Sequence, residues 1–181
     1  MMPMLAAVVV AIVTTAGEID VRVDTERAPK TAANFLSYVK RGFFDGGTFF
    51  RTVTTQPDNQ PGKRVKIDVI QATHNVKAHP NVDAPVVFEP TSQTGLRHRD
   101  GTISMARDDA PNTATTDFFI CIGAQPGLDD GGGRSKDHHG FAAFGQVVSG
   151  MEVVRAIHDA PRHEQKLTPP FEIERIRFLT P

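Results

Sequence analysis

Seven histidines are the first side chains to weigh, because histidine is the commonest metal ligand. Asp137-His138-His139 stands in a glycine-rich stretch, and His74 and His79 lie close together in another polar segment. Adjacent histidines seldom grip one ion without further ligands at defined positions. Both groups therefore read as solvated loop residues, and a metal-dependent hydrolase has only the histidine count behind it. Asp129-Asp130-Gly131 is as tempting for calcium but lacks the EF-hand ligand spacing. The single cysteine, Cys121, sits in the apolar run Phe118-Phe119-Ile120-Cys121-Ile122, where packing rather than reactivity is expected. No nicotinamide, phosphate-loop or zinc-ribbon motif is present, so neither a cofactor nor a metal is expected. Any chemistry must come from side chains that the fold brings together.

The 181 residues suit one domain, spanning 1–181, with a real core. Hydrophobic residues at 39% and charged residues at 23% are those of an ordinary globular chain. A formal net charge of -1 gives no electrostatic footprint for nucleic acid. One cysteine excludes an intrachain disulfide and leaves the compartment open between cytoplasm and periplasm. No stretch is long enough for a membrane span. Met1 to Val13 is apolar like the middle of a signal peptide, but no basic segment precedes it. A buried first strand is the favoured reading, with export as the alternative.

The patterns predict about eight strands and two helices. Val8 to Thr15 and Glu18 to Val23 form a hairpin around Ala16-Gly17. From Pro29, the residues Ala32, Phe35, Leu36 and Val39 make one helical face, closed by Lys40, Arg41 and Gly42. Phe43 to Val53 reads as two short strands about Asp45-Gly46-Gly47, and Thr54 to Arg64 as a loop. Strands are expected at 65–72, 101–106, 117–122, 141–148 and 171–179, with a helix at 151–157. A shift of alternation in the last strand suggests a bulge. So many antiparallel strands in one domain favour a closed barrel, which removes exposed edges.

Several motifs in order carry a resemblance: Ala28-Pro29-Lys30-Thr31 with Asn34-Phe35, Gly42-Phe43-Phe44-Asp45-Gly46, Gly101-Thr102-Ile103-Ser104-Met105-Ala106, Pro111-Asn112-Thr113, Asp117-Phe118-Phe119-Ile120, Leu128-Asp129 and Phe144-Gly145-Gln146-Val147. Together they resemble the cyclophilin-type peptidyl-prolyl cis/trans isomerases, in a bacterial form with an altered active site. The resemblance runs from about Val8 to Leu179. It implies a mainly β protein: a closed eight-stranded antiparallel barrel capped by two α-helices, with a proline-binding groove on its outer face. It also implies an activity, rotation about X-Pro bonds that assists protein folding, with proline-containing peptides and unfolded proteins as partners. The alternative is a non-catalytic proline-peptide binding module on the same fold. A monomer is expected.

By the same resemblance Arg51 matches the catalytic arginine, Phe119 the floor of the proline pocket, and Gln71 the glutamine that bonds substrate backbone. Ala106 and Arg107 match the strand edge that pairs with the peptide, and Leu128 a pocket wall. The departures are Phe50 for a histidine, Asp117 for a glutamine, Phe141 for a histidine or tyrosine, Gly127 for a tryptophan, and Asp68-Val69 for phenylalanine-methionine. If Asp68 faces the pocket, proline binding weakens. Asp117 could pair with Arg51, orienting it and offsetting its charge. Gly127 removes the indole linked to cyclosporin, so weak cyclosporin affinity is expected.

Overall fold

The computed structural model describes residues 7–180, so Met1 to Ala6 of the apolar start lie outside it. β1 (Val8–Thr14) and β2 (Gly17–Val23) form the expected hairpin. The Thr14 hydroxyl donates to Gly17 O at 2.7 Å and accepts from Ala16 N–H at 3.1 Å, which closes the turn. Gly17 is required there twice over: its φ is +135°, and a Cβ would lie 2.7 Å from Val153 Cγ2.

α1 (Pro29–Lys40) buries Ala32, Phe35, Tyr38 and Val39. Gly42, at φ +72°, ends it by donating to Val39 O, and Phe43 N–H donates to Tyr38 O. The helix has no capping side chain of its own at Ala28. Instead the buried Glu89 carboxylate, far along the chain, accepts from Thr31 N–H (2.7 Å), Thr31 Oγ1 (2.6 Å) and Lys30 N–H (3.3 Å). This contact ties the proline-bearing segment 80–90 onto the helix.

The remaining strands are β3 (Gly47–Val53), β4 (Val69–Thr73), β5 (Thr102–Met105), β6 (Phe118–Cys121), β7 (Ala143–Ser149), β8 (Arg162–His163) and β9 (Lys166–Phe178). Their order is β1-β2-β7-β5-β6-β4-β3-β9-β8, and β1 also pairs with β9. Eight antiparallel strands therefore close into a barrel, with β8 as an appendage of β9. α2 (Thr91–Thr94) is a single turn, and α3 (Met151–His158) packs against the barrel as the second long helix. The interior holds Ile12, Ile19, Val21, Phe49, Ile70, Ile103, Phe118, Phe144 and Ile173, all fully buried, so the barrel is filled and is not a ligand cavity.

Three strand boundaries differ from the sequence expectation by more than two residues, each for a local reason. No strand precedes Gly46, because Gly42 and Gly46, both in the left-handed region, turn the chain on either side of Phe43–Asp45. β4 begins at Val69 rather than Val65, because the buried amide of Gln60 takes the place of a partner strand: it accepts from Ile67 N–H (3.0 Å) and donates to Ile67 O (2.9 Å). β9 starts at Lys166, its first half hidden from the sequence pattern by Pro169 and Pro170. Its bulge is present: Val13 faces Arg175 and Thr14 faces Ile173, leaving Glu174 as the extra residue. Among the described residues no helix is long and apolar enough to cross a membrane.

Candidate active site

A second bulge creates the site. In β3, Phe49 pairs with Ala72 and Arg51 with Gln71, so Phe50 is the unpaired extra residue. A one-residue insertion reverses which side chains face inward. Phe49 is buried in the barrel core, while Arg51 turns to the outer face beside Gln71. Phe50 stays half-buried and does not line the groove, so the expectation that it contacts substrate there is corrected.

On that outer face a small apolar cluster stands apart from the main core: Val53, Ile67, Val69, Phe119, Cys121 and Leu128, with Ala106 and Phe141 against it. It floors a pocket of about 240 Å³ lined by Arg51, Ile67, Val69, Gln71, Phe119 and Phe141 among others. Phe119 meets Phe141 edge to face at 5.6 Å and 87°, a favourable aromatic geometry. Phe118, the next residue, points into the barrel. Asp68 does not face the pocket: its carboxylate accepts from Thr55 N–H (2.9 Å) and Thr55 Oγ1 (2.8 Å), and the wall is made by its neighbours Ile67 and Val69.

Arg51 is held by neutral acceptors alone. Its Nε donates to Gln165 Oε1 at 2.9 Å and its Nη1 to Gln71 Oε1 at 2.8 Å. Among the described residues no carboxylate lies within ion-pair distance of it, and its Nη2 has no protein partner. Burial pushes the guanidinium below its ordinary value, yet it remains a cation at neutral pH. Asp117, which could have paired with Arg51, does not. Gln71 stands between them, donating to Asp117 Oδ2 at 3.3 Å. Asp117 lines an adjoining hollow with Gln71, Ala106 and Arg107. Ala106 uses its N–H on Asp117 O (3.0 Å), so its carbonyl is the group left to offer a peptide.

The Arg107 side chain lines the pocket with its donors engaged within the protein. It donates to Gly140 O, Asp108 O and Asp109 O, grips Asp137 with two bonds of 2.8 and 2.9 Å, and lies over the rings of Phe88 and Phe141. It therefore clamps the loop that carries the Phe141 wall. Burial alone would raise the Asp137 carboxyl, but hydrogen bonds from Arg107, His139 N–H and Ser135 hold it well below the usual carboxylate range. The neighbouring acids are similarly occupied: Asp129 accepts from His98, and Asp130 from Ser92 at 2.5 Å. Among the described residues no group of three or more His, Cys, Asp or Glu could hold a metal ion. Burial pushes the Cys121 thiol up, and the charges of Asp129 and Asp100 push it further, so it is not a nucleophile at neutral pH.

A Ser-His-Asp arrangement lies beneath the pocket. His98 Nδ1 is 2.7 Å from Asp129 Oδ1, and His98 Nε2 is 2.8 Å from Ser104 Oγ. The distances are those of a hydrolase triad, but Ser104 is 0% exposed and Phe119 stacks over the imidazole at 6.0 Å. No substrate carbonyl reaches that hydroxyl, so the group is a polar support under the floor.

The structure thus brings together Arg51, Gln71, Ala106, Phe119, Leu128 and Phe141, with Arg107 as a clamp and Asp117 one hollow away. Missed from the sequence were Ile67, Gln165, Arg134 and Lys63. Ile67 was legible, since it alternates with Val69 and Gln71 on one strand face. Gln165 and Arg134 carry no local signal, being distant in sequence from the groups they bond.

The family described as "Cyclophilin type peptidyl-prolyl cis-trans isomerase/CLD" matches residues 9–178. Peptidyl-prolyl cis-trans isomerase A of Dickeya dadantii is 36% identical over 148 residues, covering 82% of this chain and 70% of the relative. Peptidyl-prolyl cis-trans isomerase B of Escherichia coli is 31% identical, covering 80% of each chain. A crystal structure of a Cryptosporidium parvum cyclophilin type isomerase, 20% identical, superposes with a TM-score of 0.73 over 97% of this chain and 99% of that one. The same parasite protein crystallised in the presence of the dipeptide Ala-Pro gives a TM-score of 0.71 over 96% and 99% of the two chains, at 20% identity. The chain belongs to the cyclophilin-type peptidyl-prolyl cis-trans isomerases.

Proposed function

We propose that this isomerase works through Arg51, acting on a proline seated against Phe119. Resonance sets the barrier to peptide rotation at about 18–20 kcal/mol, and each ~1.36 kcal/mol removed is tenfold in rate. As the bond twists, the prolyl nitrogen regains its lone pair. A fixed donor beside it then binds the transition state better than either ground state. The unpartnered Nη2 of Arg51, beside an apolar floor and with no carboxylate to offset its charge, is the observation that carries this reading. Phe119, Ile67, Val69, Leu128 and Phe141 would hold the ring, and the Ala106 carbonyl and Gln71 amide would grip the chain beside it.

With Asp68 turned away, one of the substitutions that would favour a binding-only module does not reach the pocket. Cyclosporin would bind weakly: at Gly127 a Cβ would lie 2.4 Å from Val65 Cγ1, so the long loop occupies the space a large side chain would need. A monomer is the expected state, with unfolded, proline-containing chains as clients.

The deciding experiment is cis/trans exchange in an X-Pro peptide with the native protein and with Arg51→Ala. Acceleration that falls by about 10²–10³ in the variant supports the reading. Equal rates from both proteins would overturn it.

A further inference from the structure

We propose that the rim formed by Arg134 and Lys63 is a subsite for an anionic side chain near the substrate's proline, so that acidic or phosphorylated X-Pro segments are preferred. This rests on the proline-binding reading of the same groove.

The pocket is lined by five cations and two acids: Arg51, Lys63, Arg107, Arg134 and Lys136 against Asp108 and Asp109. Two of the cations are neutralised within the protein, Arg107 by Asp137 and Lys136 by Asp109 at 2.6 Å. Among the described residues Arg51, Arg134 and Lys63 have no carboxylate within ion-pair distance.

Arg134 is half-buried and bonded only to neutral acceptors, Gln60 Oε1 at 2.8 Å and Val65 O at 2.6 Å, both through Nη1. Its Nε and Nη2 have no protein partner among the described residues, which leaves a donor edge suited to a carboxylate or phosphate. Burial, and then the charge of Arg51, moves the Arg134 guanidinium below its ordinary value. The two cations therefore sense each other across the pocket, and among the described residues neither is paired with a carboxylate. An anion bound at Arg134 and Lys63 would relieve that repulsion while the Arg51 donor edge stays directed at the prolyl nitrogen. The adjoining hollow lacks Arg134 and Lys63: it is lined by Asp117, by Asp108, which borders both hollows, and by Arg107, which Asp137 neutralises. Asp117 thus places negative charge on the arm away from Arg134 and Lys63, which makes the preference specific to one flank of the proline.

The test compares X-Pro peptides carrying Gln, Glu, phosphoserine or Lys at one position on either side of the proline. Exchange kinetics give kcat/KM for each peptide, and titration gives Kd. Glu or phosphoserine on one flank should improve kcat/KM and Kd about tenfold over Gln at the same position (~1.4 kcal/mol), and the gain should shrink with added salt. Lys there should do worse than Gln. A gain with phosphoserine alone supports a phosphate subsite, and a gain with both supports a general anion subsite.

Lys63→Gln and Arg134→Gln should each bring the Glu/Gln ratio toward one. Arg134→Lys should restore it, which separates charge from support of the loop. A Glu/Gln ratio near one on both flanks would overturn the proposal. Failure to accelerate any peptide would overturn the isomerase reading alone, because the Kd ratios still test the subsite.

Discussion

Gln165 is expected to aim the catalytic arginine, and its replacement separates aim from charge. It lies in the turn between β8 and β9, where its Oε1 accepts from Arg51 Nε at 2.9 Å and its Nε2 donates to Asn59 O at 2.8 Å. A hydrogen bond to a charged group is worth about 1.5–3 kcal/mol. Gln165→Ala removes one such bond, while the Arg51–Gln71 bond at 2.8 Å remains. The lower end of the range therefore applies, about tenfold in kcat/KM, against 10²–10³ for Arg51→Ala. Gln165→Glu keeps the acceptor toward Arg51 and adds a charge, but replaces the Nε2 donor to Asn59 O with an oxygen. Two unit charges about 4 Å apart attract by ~4 kcal/mol at an effective dielectric near 20, which steadies the arginine but offsets its field at the prolyl nitrogen. The Glu variant should thus melt no lower than Gln165→Ala, which also lacks the Asn59 bond, yet isomerise more slowly than it. The assays are NMR exchange of an X-Pro peptide and thermal denaturation of the three proteins. A Gln165→Ala rate within twofold of native, or a Glu variant faster than the Ala variant, would refute the reasoning.

Glu89→Ala should cost about 1–3 kcal/mol of folding stability in a denaturant titration, because it strips the buried Thr31, in the first turn of α1, of its acceptor. Arg107→Asn should raise KM about fivefold (~1 kcal/mol) and speed amide exchange over residues 134–140, since the Phe141 wall loses its clamp. The Asp137 carboxyl lies below its unfolded value, so its stabilisation is complete above the ordinary carboxylate value near ~4 and fades as pH falls toward the folded one. The stability gap between native protein and Asp137→Asn should accordingly be widest at neutral pH and close in acid, and a gap independent of pH would sink this. Cys121, fully buried, should resist thiol reagents in the folded state and react on unfolding. Labelling of native protein at the unfolded rate would contradict its placement.

The barrel was legible because its signals are local. Alternation marked the strands, the Pro29 to Gly42 frame marked α1, and a phase shift marked the β9 bulge at Glu174. The site was legible only through motifs. Spacing alone could not say that Phe49 points inward and Arg51 outward, because two residues apart on a regular strand share a face. The bulge at Phe50 breaks that rule, and a run of three apolar and charged residues does not announce it. The same limit left open where Asp68 points. Its side chain is turned toward Thr55, a contact set by where the 54–64 loop returns, which no periodicity encodes.

That loop also changes how the departures from the family pattern are to be weighed. Taken singly, Gly127 and Asp68 look like losses from a proline pocket. In the folded chain Val65 packs against Gly127 and Ile67 joins the pocket wall; the buried Gln60 side chain bonds Ile67 at both main-chain groups, and Arg134 donates both to Gln60 and to Val65 O. The segment leading to β4 therefore sets apolar surface, Val65 and Ile67, on the side of the pocket where 127 has no side chain, and brings the unneutralised Lys63 with it. Ile67 adds to the wall, but the charge of the rim is not that of an apolar pocket. Loss of the Gln60 amide should for that reason disturb substrate choice as well as stability: in Gln60→Ala the approach to β4 loses its hydrogen-bonding partner and Arg134 loses one of its two acceptors. A variant that lost stability while keeping its full preference among charged peptides would separate the loop's packing from its electrostatics, and would place the preference on Lys63 alone.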